Sequence, residues 1–318
     1  MKVSVCVPVY NVEKQVGHCA RSLFEQTLGE GIEFIFVNDC STDRSESVIC
    51  EVLEEYPARR AQVKIIRNDV NSGQDVSRNV ALRVATGEYV ICCDSDDWVD
   101  PDLYERMMRK AESGFDVVCC RTVVEYEGRK TYSPPVEEQT AAKFLHDGFC
   151  TDFFNSMCNK MFRRAVLPLA TLVCIDHRAS HEDMLMAVQF LLRCGSVGFC
   201  DGSYYHYVRS PTGMTYYYEL EDAHFIARAL ERILPEEYAH CLMSYKHAEL
   251  LTLLNRRWVS GRFFRAQWPE ALGVRQILGD TKLSGLKKLT LLAARRFCLP
   301  VNALMRLRFL LMVRLHRR

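Results

Sequence analysis

The densest group of chemically active side chains is a run of acids in the segment DSDDWVD, residues 94–100. It directly follows YVICC at residues 89–93, an apolar run with the composition of a buried strand. Residues two apart in an extended chain project from the same face, so Asp94 and Asp96 are predicted to point together. Two carboxylates without a neighbouring Lys or Arg suit Mg²⁺ or Mn²⁺, which prefer oxygen ligands and often share them with substrate phosphates.

Two other interpretations of this acidic run depend on its position before a predicted helix. The first is a solvated turn followed by a helix, with Asp100 as the N-cap and the proline after it as the first helical residue. That explains Asp100 but not the acids at residues 94–97. A calcium loop of the EF-hand type is disfavoured because Val99 stands at the sixth position, where that loop needs glycine.

Short apolar runs alternate with longer amphipathic runs over the first 125 residues. Apolar runs predict strands at 3–9, 32–37, 63–67, 89–93 and 115–124. Helical spacing predicts the intervening helices at 12–28, 43–56, 74–85 and 101–111. Because the strands are almost continuously apolar, both of their faces should be covered, which predicts an α/β fold with a mainly parallel sheet and flanking helices.

Polar loops follow each of the first four predicted strands. Ligands of parallel sheets bind at the carboxyl ends of the strands, so these loops are predicted to meet at one edge. The usual phosphate-binding loops are absent from the sequence, since no G-x-G-x-x-G follows the first strand and no G-x-x-x-x-G-K-[ST] occurs. A bound nucleotide would therefore be held in another way. The four loops are PVYN (8–11), NDCSTD (38–43), NDVNSGQDVSRN (68–79) and DSDDWVD (94–100).

The composition excludes some classes of protein. The chain has 318 residues, 48% of them hydrophobic, and a formal net charge of +1, which gives no overall bias toward nucleic acid. Its 15 cysteines are scattered without C-x-x-C spacing, and we interpret them as reduced thiols of a cytoplasmic protein. The apolar part of the N-terminus is too short for a signal peptide, and no run of about 18 apolar residues predicts a spanning helix.

The C-terminal region has a different pattern. Helical spacing is predicted at 140–148 and 182–194, a strand or hairpin at 197–209, and further helices over 221–268. Residues 286–318 then contain nine Lys or Arg and no acid, and Pro300 is predicted to divide them into two helices. Such a basic amphipathic segment is typical of peripheral contact with an anionic membrane. The alternative is a pair of helices that pack on the protein and leave a basic face in solvent.

Several segments together resemble the family 2 inverting glycosyltransferases of the GT-A fold, of the bacterial surface-polysaccharide type. The resemblance covers residues 1–215 and implies a catalytic domain with a nucleotide-binding half, 1–125, and an acceptor half, 126–215. A helical extension, 216–318, would follow. The segments that carry it are VCVPVYNVEKQV, FIFVNDCSTDRS, NSGQDVSRNVAL, GEYVICCDSDDWVDPD, NKMFRR, HEDMLM and YYHYVRSPTGMT.

The resemblance implies a role for several residues of the first half. The backbone near Pro8 and Tyr10 would surround a nucleotide base, and Asp39 would accept a hydrogen bond from the edge of uracil. The family often has an acid before this aspartate, where this chain has Asn38. Arg78 would face the base or the phosphates, although by itself it is equally an exposed helix arginine.

The acids of the 94–100 loop match the D-x-D motif of the family. Asp96 would then ligate Mg²⁺ or Mn²⁺, and Asp94 would contact the metal, a metal-bound water or the ribose. Leaving-group stabilisation needs further positive charge at the diphosphate, for which Lys160 and Arg209 are candidates. Lys160 is equally interpretable as a surface lysine.

A second acidic site lies in HED, residues 181–183. Asp183 matches the position of the family's general base, which takes the proton of the acceptor hydroxyl as that hydroxyl attacks the anomeric carbon. Glu182 and His181 would contribute to acceptor or phosphate binding. Without the resemblance, Glu182 and Asp183 would equally be first-turn acids that complement a helix dipole.

The implied function is metal-assisted transfer of a sugar from a nucleotide-sugar donor, expected to be a UDP-sugar. The acceptor would be a growing polysaccharide or a lipid-linked oligosaccharide, at the cytoplasmic face of a membrane that residues 286–318 contact. A sugar nucleotidyltransferase is less favoured because its glycine-rich loop after the first strand is missing. A non-catalytic nucleotide-binding or membrane scaffold is the remaining alternative. Nothing in the sequence predicts a nucleic-acid partner.

Overall fold

The first part of the chain forms alternating strands and helices, as the apolar periodicity predicts. The computed structural model describes residues 2–149, 151–175, 182–209 and 219–315. Every residue of the first two strands is buried, as expected for strands covered on both faces. The elements are β1 (Val3–Val9), α1 (Val16–Phe24), β2 (Ile32–Asn38), α2 (Ser45–Glu55), β3 (Val63–Arg67), α3 (Gln74–Val84), β4 (Tyr89–Cys92), β5 (Trp98–Val99), α4 (Leu103–Ala111) and β6 (Val117–Tyr126).

Shorter elements follow, and one long strand completes the sheet. The region predicted as a strand or hairpin is a single strand, β10, with an irregularity between Cys200 and Tyr204. Single 3₁₀ turns occur at Pro57–Gln62 and Arg164–Val166. The elements are β7 (Arg129–Tyr132), β8 (Gln139–Thr140), α5 (Ala141–Gly148), α6 (Asp152–Asn155), β9 (Lys160–Arg163), α7 (Glu182–Leu191) and β10 (Ser196–Val208).

One sheet contains all ten strands found in the described residues, in the order β3-β2-β1-β4-β9-β6-β10-β5, with β7 beside β6 and β8 beside β10. Strands β1 to β4 are parallel, and β6 and β10 are parallel to each other. Strand β9 runs antiparallel to both β4 and β6, so β4 and β6 point the same way. Strands β1 to β4, β6 and β10 therefore share one direction. The predicted α/β fold with a mainly parallel sheet and flanking helices is confirmed, and the loops after β1, β2 and β4 lie at one edge.

A buried acid ties the other ends of these strands together. Glu33 of β2 accepts hydrogen bonds from Ser4 Oγ of β1 at 2.6 Å, from Lys64 Nζ of β3 at 2.7 Å and from the backbone N–H of Thr86 at 2.7 Å. Burial alone would raise its pKa, but the bonds from Lys64, Ser4 and Thr86 lower it to about 2. The backbones of Gly87 and Ser4 also approach closely at this end of the sheet. A Cβ on Gly87 would lie 2.6 Å from the nitrogen of Ser4, which leaves no room for a side chain there.

Helix α1 is shorter than the predicted 12–28. In the segment before it, the backbone N–H of Val12 donates to Ser45 Oγ at 2.8 Å and that of Glu13 to Asp43 at 3.0 Å. A helix leaves its first N–H groups without intrahelical partners, and here side chains near the start of α2 supply them. These bonds join the segment after β1 to the segment after β2.

The chain divides into two compact units, Met1–Tyr217 and Tyr218–Arg318. The second unit is helical, and its last two helices meet at Phe297 instead of the predicted Pro300. Proline is accommodated because it falls in the first turn of α13, where its missing N–H has no intrahelical partner to lose. The helices are α8 (Leu220–Ile233), α9 (Ala239–Arg256), α10 (Gly261–Ala266), α11 (Val274–Gly279), α12 (Gly285–Arg296) and α13 (Cys298–Leu315). Within the described residues, no helix combines the length and apolar character needed to cross a bilayer.

Candidate active site

The acidic loop after β4 is held in place by strand β10. The backbone N–H of Asp94 donates to the Tyr205 hydroxyl at 3.1 Å, and that hydroxyl donates to Asp97 Oδ2 at 2.5 Å. The other oxygen of Asp97 accepts from the backbone N–H of Val208 at 2.7 Å. Burial, and then the charge of Asp96, raise the pKa of Asp97 well above its usual range. Asp97 is thus used internally, whereas the neighbouring acids Asp94 and Asp96 are part-exposed.

Asp94 and Asp96 have different surroundings. Oδ1 of Asp94 accepts hydrogen bonds from Gln74 Nε2 at 2.7 Å and from Arg78 Nη2 at 2.8 Å. Gln74 and Arg78 are one helical turn apart on α3, so they share the face that meets the loop. Within the described residues, the carboxylate of Asp96 accepts a hydrogen bond from its own backbone N–H and from no other residue. Burial and the neighbouring charge of Asp94 raise the pKa of Asp96 to about 6.

Arg78 connects the two acidic sites. Its Nη2 donates to Asp94 and its Nη1 to Asp183, which lies 105 residues further along the chain. The side chain is only 1% exposed. Burial would lower its pKa, but attraction to Asp183 and Asp94 outweighs burial and raises it. The predicted arginine therefore lies inside the site as a bridge between the two carboxylates, and it is not an exposed helix residue.

Asp183 and Glu182 form the first turn of α7. The carboxylate of Asp183 accepts from Arg78 and from the backbone N–H of Met157. Burial raises its pKa against the lowering effect of Arg78. Glu182 is buried, and burial followed by the charge of Asp183 raises its pKa strongly. His181 lies outside the described residues.

Asp39 lies at the end of β2 and organises the loop before α3. Its carboxylate accepts from Asn68 Nδ2 at 2.7 Å, from the backbone N–H of Ser72 at 3.0 Å and from that of Gly73 at 2.8 Å. Gly73 has a φ of 89°, a conformation that favours glycine. The loop between β3 and α3 is therefore folded around Asp39, and this brings α3, with Arg78, to the edge of the sheet.

The residues expected around a nucleotide base are at the same edge. Pro8 is buried in β1, and Tyr10, just beyond the strand, is 45% exposed. Asn38, at the position where the family often has an acid, is buried and donates to Glu46. Its Oδ1 accepts from the backbone N–H of Ser41 at 2.9 Å. The amide supplies both a donor and an acceptor to this loop, whereas an ionised acid would supply acceptors only.

Lys160 and Arg209, the candidates for binding a diphosphate, lie in different parts of the sheet region. Lys160, in β9, is fully buried, and its ammonium donates to the Ser156 carbonyl at 2.6 Å and to Asn159 Oδ1 at 2.7 Å. Burial lowers its pKa to about 8. It is therefore not a surface lysine. Arg209 follows β10, and within the described residues its Nε has no hydrogen-bond partner.

Several residues of the site were not identified from the sequence. Asp75, beside Gln74 on α3, is 1% exposed and accepts from the backbone N–H of Ile175 at 2.8 Å. Its Oδ1 has no partner among the described residues, and burial raises its pKa to about 7. The helical spacing of residues 74, 75 and 78 is the signal that could have found this face of α3.

Trp98 and Tyr205 connect the acidic loop to strand β10. Trp98 stacks on His206, with ring centroids 3.5 Å apart, and Tyr205 is the buried tyrosine that holds the acidic loop. Both nitrogens of His206 lie 2.9 Å from a carboxylate oxygen, one of Asp100 and one of Glu125. A paired histidine thus fixes the tryptophan beside the acidic loop.

The carboxylates of Asp94 and Asp96 suit a hard divalent cation whose remaining ligands are water and substrate phosphates. Within the described residues, no group of three or more His, Cys, Asp or Glu side chains could hold a metal by itself. Asp94 and Asp96 offer two carboxylates, and Asp96 has no hydrogen bond to another residue in the described part of the chain. Two carboxylates completed by water and substrate phosphates are the usual environment of Mg²⁺ in such sites.

Two solved structures share the fold of this chain. The crystal structure of residues 1–349 of Staphylococcus aureus TarS with UDP-GlcNAc matches 98% of this chain and 92% of that chain, with a TM-score of 0.71 and 22% identity. A mannosyltransferase from Pyrobaculum calidifontis, in complex with GDP-Man and Mn²⁺, matches 99% of this chain and 86% of that one, with a TM-score of 0.55 and 17% identity. These matches confirm the GT-A type of fold.

Sequence comparison identifies the family. The uncharacterized glycosyltransferase EpsJ of Bacillus subtilis is 30% identical over 224 residues, which are 67% of this chain and 62% of EpsJ. TarS, the poly(ribitol-phosphate) beta-N-acetylglucosaminyltransferase of Staphylococcus aureus, is 26% identical over 67% of this chain and 36% of its own length. The chain thus spans about 60% of the first of these curated relatives, and less of TarS. The profile of glycosyl transferase family 2 matches residues 4–168, more than half of the chain, and the chain belongs to that family.

Proposed function

We propose that this protein is an inverting glycosyltransferase that moves a sugar from a UDP-sugar to a growing polysaccharide or a lipid-linked oligosaccharide. The observation that carries the proposal is the convergence of Asp94, Asp183 and Arg78 at the carboxyl edge of the sheet in a family 2 chain. The buried guanidinium brings an acid after β4 and an acid at the start of α7 to one place. That juxtaposition is what a reaction between a donor and an acceptor at this edge would need.

Asp183 is the proposed general base. The acceptor hydroxyl attacks the anomeric carbon, its proton passes to Asp183, and the bond from that carbon to the diphosphate oxygen breaks on the opposite face. Burial raises the pKa of Asp183, which makes it a better proton acceptor than a fully solvated aspartate. Glu182 and His181, next to the base, are proposed to contact the acceptor or the phosphates.

The donor is proposed to lie along the loops after β1, β2 and β3. Pro8 and Tyr10 would border the base, and Asp39 would recognise uracil while it holds the loop that carries Gly73. Arg78, and with it Arg209 and Lys160, would supply positive charge for the departing diphosphate. The domain 1–215 would thus use residues 1–125 for the donor and 126–215 for the acceptor, with 216–318 as a helical extension.

Asp96 and Asp94 are the residues that would hold Mg²⁺ or Mn²⁺. The cation, when bound, would neutralise charge on the leaving diphosphate. The lack of a bond from another described residue to Asp96 supports this assignment, because a cation would satisfy the carboxylate. The UDP-GlcNAc complex of TarS makes UDP-GlcNAc the first donor to test, and the poly(ribitol-phosphate) acceptor of TarS supports a cell-surface polymer as the acceptor class.

The test compares Asp183→Asn with the unchanged protein. We expect UDP release from UDP-GlcNAc in the presence of Mn²⁺ to fall about 10²–10⁴-fold, while the donor dissociation constant stays within about threefold. Asp201→Asn, an exposed aspartate in β10, is the matched control and should change neither value. Glycan-bearing extracts serve as the acceptor source until a defined acceptor is found.

The competing function is a nucleotide-binding scaffold without turnover. A scaffold would bind UDP and Mn²⁺ normally, and Asp183→Asn would leave polymer synthesis unchanged in cells. Equal polymer synthesis with Asp183→Asn and the unchanged chain would therefore reject the transferase. A fall seen with Asp183→Asn but not with Asp201→Asn, while the thermal unfolding midpoint and UDP binding of Asp183→Asn are preserved, would reject the scaffold.

A further inference from the structure

The rotation of helix α13 in the second unit is fixed by one buried amide. Asn302 is fully buried, and its Nδ2 donates to the carbonyls of Leu254 at 2.6 Å and Arg257 at 2.9 Å. Its Oδ1 accepts from the backbone N–H of Val259 at 3.1 Å. These bonds satisfy backbone groups at the end of α9, so the side of α13 that carries Asn302 must face inward.

The side of α13 away from Asn302 carries exposed apolar residues. Leu304 and Leu307 lie there and are 68% and 57% exposed, and Leu299, in the first turn of the helix, is 58% exposed. Helix α12 repeats the pattern, because Leu291 and Ala294 are buried while Leu286 and Leu289 are 61% and 65% exposed. Trp258, in the turn before α10, is 64% exposed. We call the outward sides of α12 and α13, together with Trp258, the C-terminal basic face.

Cations are interspersed with these apolar side chains. The guanidinium of Arg306 lies 5.3 Å from the ring centroid of Trp258, and that of Arg296 lies 5.7 Å from the ring of Phe297. Lys287 and Arg308 are exposed. No acid follows Asp280 in the sequence, so no carboxylate from residues 281–318 can offset this charge. The face therefore combines apolar surface with positive potential.

We propose that the C-terminal basic face binds the surface of an anionic lipid bilayer, with α12 and α13 lying in the plane of the interface. Leucine side chains gain free energy by entering the acyl region, and Lys and Arg gain it from anionic headgroups. Tryptophan is enriched at this depth, because its ring is apolar and its N–H is polar. The contact is peripheral, in accord with the lack of a spanning helix among the described residues.

A bilayer explains this face better than a second copy of the chain. Two copies that met through it would bring together surfaces of the same positive sign without a carboxylate from residues 281–318, which opposes pairing. A soluble polyanion would satisfy the cations but would leave Leu289, Leu304 and Leu307 in water. The bilayer alone supplies both an anionic layer and an apolar one.

The experiment is co-sedimentation of the full chain with vesicles of phosphatidylcholine alone or mixed with phosphatidylglycerol. We expect binding to the anionic vesicles that is at least tenfold stronger than to the neutral ones and that weakens as salt is raised. The double variant Leu304→Gln/Leu307→Gln should lose about tenfold or more in partition constant. Phe225→Gln, which changes a part-exposed apolar residue of α8, is the control and should bind as the unchanged chain does.

Four results would overturn the inference. The first is equal binding to neutral and anionic vesicles, or no binding to either. The second is unchanged binding of Leu304→Gln/Leu307→Gln with the thermal unfolding midpoint preserved. The third is self-association, seen by analytical ultracentrifugation, that this variant abolishes. Binding to soluble polyphosphate that competes fully with vesicles, and that the leucine substitutions do not affect, would likewise show a polyanion site. Asp183→Asn should bind vesicles normally, so a failure of the proposed transferase activity would not affect this result.

Discussion

Arg78 is the residue that makes one site out of three segments of the chain. Its planar guanidinium donates from one terminal nitrogen to Asp94 and from the other to Asp183, while its own helix holds it at the sheet edge. A guanidinium can serve two carboxylates at once because its donors point in fixed, different directions. Removing one member of such a buried set leaves the others without compensation, which costs more than the set contributes.

Arg78→Lys should therefore be strongly destabilising although it keeps the charge. A single ammonium cannot reach both carboxylates with good geometry, and we expect the free energy of unfolding to fall by about 3 kcal/mol. Urea denaturation at pH 7 measures this value. Arg83→Lys, an exposed position on the same helix, should change it by less than about 0.5 kcal/mol. Equal values for the two variants would show that the bridge contributes nothing.

Asp75 makes the stability of this region depend on pH. Burial raises its pKa from 3.8 to about 7 in the folded protein, so between these values the folded state holds a proton that the unfolded state has lost. Its contribution to stability therefore falls as pH rises from about 4 to about 7. Asp75→Asn removes this penalty and keeps an acceptor for the backbone N–H of Ile175.

As the pH rises, the free energy of unfolding of Asp75→Asn is expected to increase relative to that of the unchanged chain. The difference in unfolding free energy between the two proteins, measured by urea at pH 5 and pH 8, should move in favour of the variant by about 2 kcal/mol. A difference that is the same at both pH values would mean that Asp75 does not titrate in this range.

At the scale of elements, the site depends on strands that keep their relative register. Glu33 is bonded to β1, to β3 and to the turn before β4, all at the end of the sheet away from the candidate site. The loops at the opposite end can then start from fixed positions. An ionised acid is well suited to this role, because its two oxygens accept several bonds at once.

Glu33→Gln should lower the free energy of unfolding at pH 7 by about 2 kcal/mol. The folded pKa of about 2 lies below the unfolded value of 4.5, so this stabilisation is present above pH 4.5 and is lost as the pH falls toward 2. The loss caused by the substitution should thus be about 1 kcal/mol smaller at pH 3.5 than at pH 7. Glu30→Gln, an exposed neighbour, is the control, and an equal loss at both pH values would contradict the assignment.

Local pattern accounts for most elements and for few of the contacts between them. The apolar runs predict β1 and β2 almost to the residue because burial on both faces leaves a strong signal. Strand β3 is only part-buried, and its Val and Ile residues are sufficient to predict it. The sequence could not predict which acid of the acidic loop is internally bonded and which is available to a ligand, since Asp94, Asp96 and Asp97 are the same residue type at neighbouring positions. Tyr205 and Val208, more than a hundred residues away, make Asp97 structural.

The contacts of the segment before α1 have the same origin. The N–H groups of residues 12 and 13 bond to the side chains of Ser45 and Asp43, about thirty residues away. A local pattern does not identify such distant partners. The bridge made by Arg78 follows this rule too, because the helix predicts which face it shares with Gln74 but not which carboxylates it meets.

At the scale of the whole molecule, we expect a donor and a cation to be coupled through the acidic loop. UDP-GlcNAc at about 100 times its dissociation constant should add about 2.7 kcal/mol to the folded state and raise the midpoint of thermal unfolding. Mn²⁺ should increase this shift. In Asp96→Asn the Mn²⁺-dependent part should disappear, whereas in Asp201→Asn it should remain. A Mn²⁺ effect that survives in Asp96→Asn would remove Asp96 from the cation site.

The sequence separation within the site has a consequence for biosynthesis. Arg78 cannot bond to Asp183, nor Asp97 to Tyr205 and Val208, until those later residues have been synthesised. The acidic loop therefore lacks the contacts that fix it until more than a hundred further residues have been made. Contacts of such long range close slowly, because the loop entropy must be overcome before they form. A ribosome-bound chain that ends before residue 205 should therefore expose Asp94, Asp96 and Asp97 as a repelling cluster. The emerging protein would acquire its site as one of the last steps in folding the first unit.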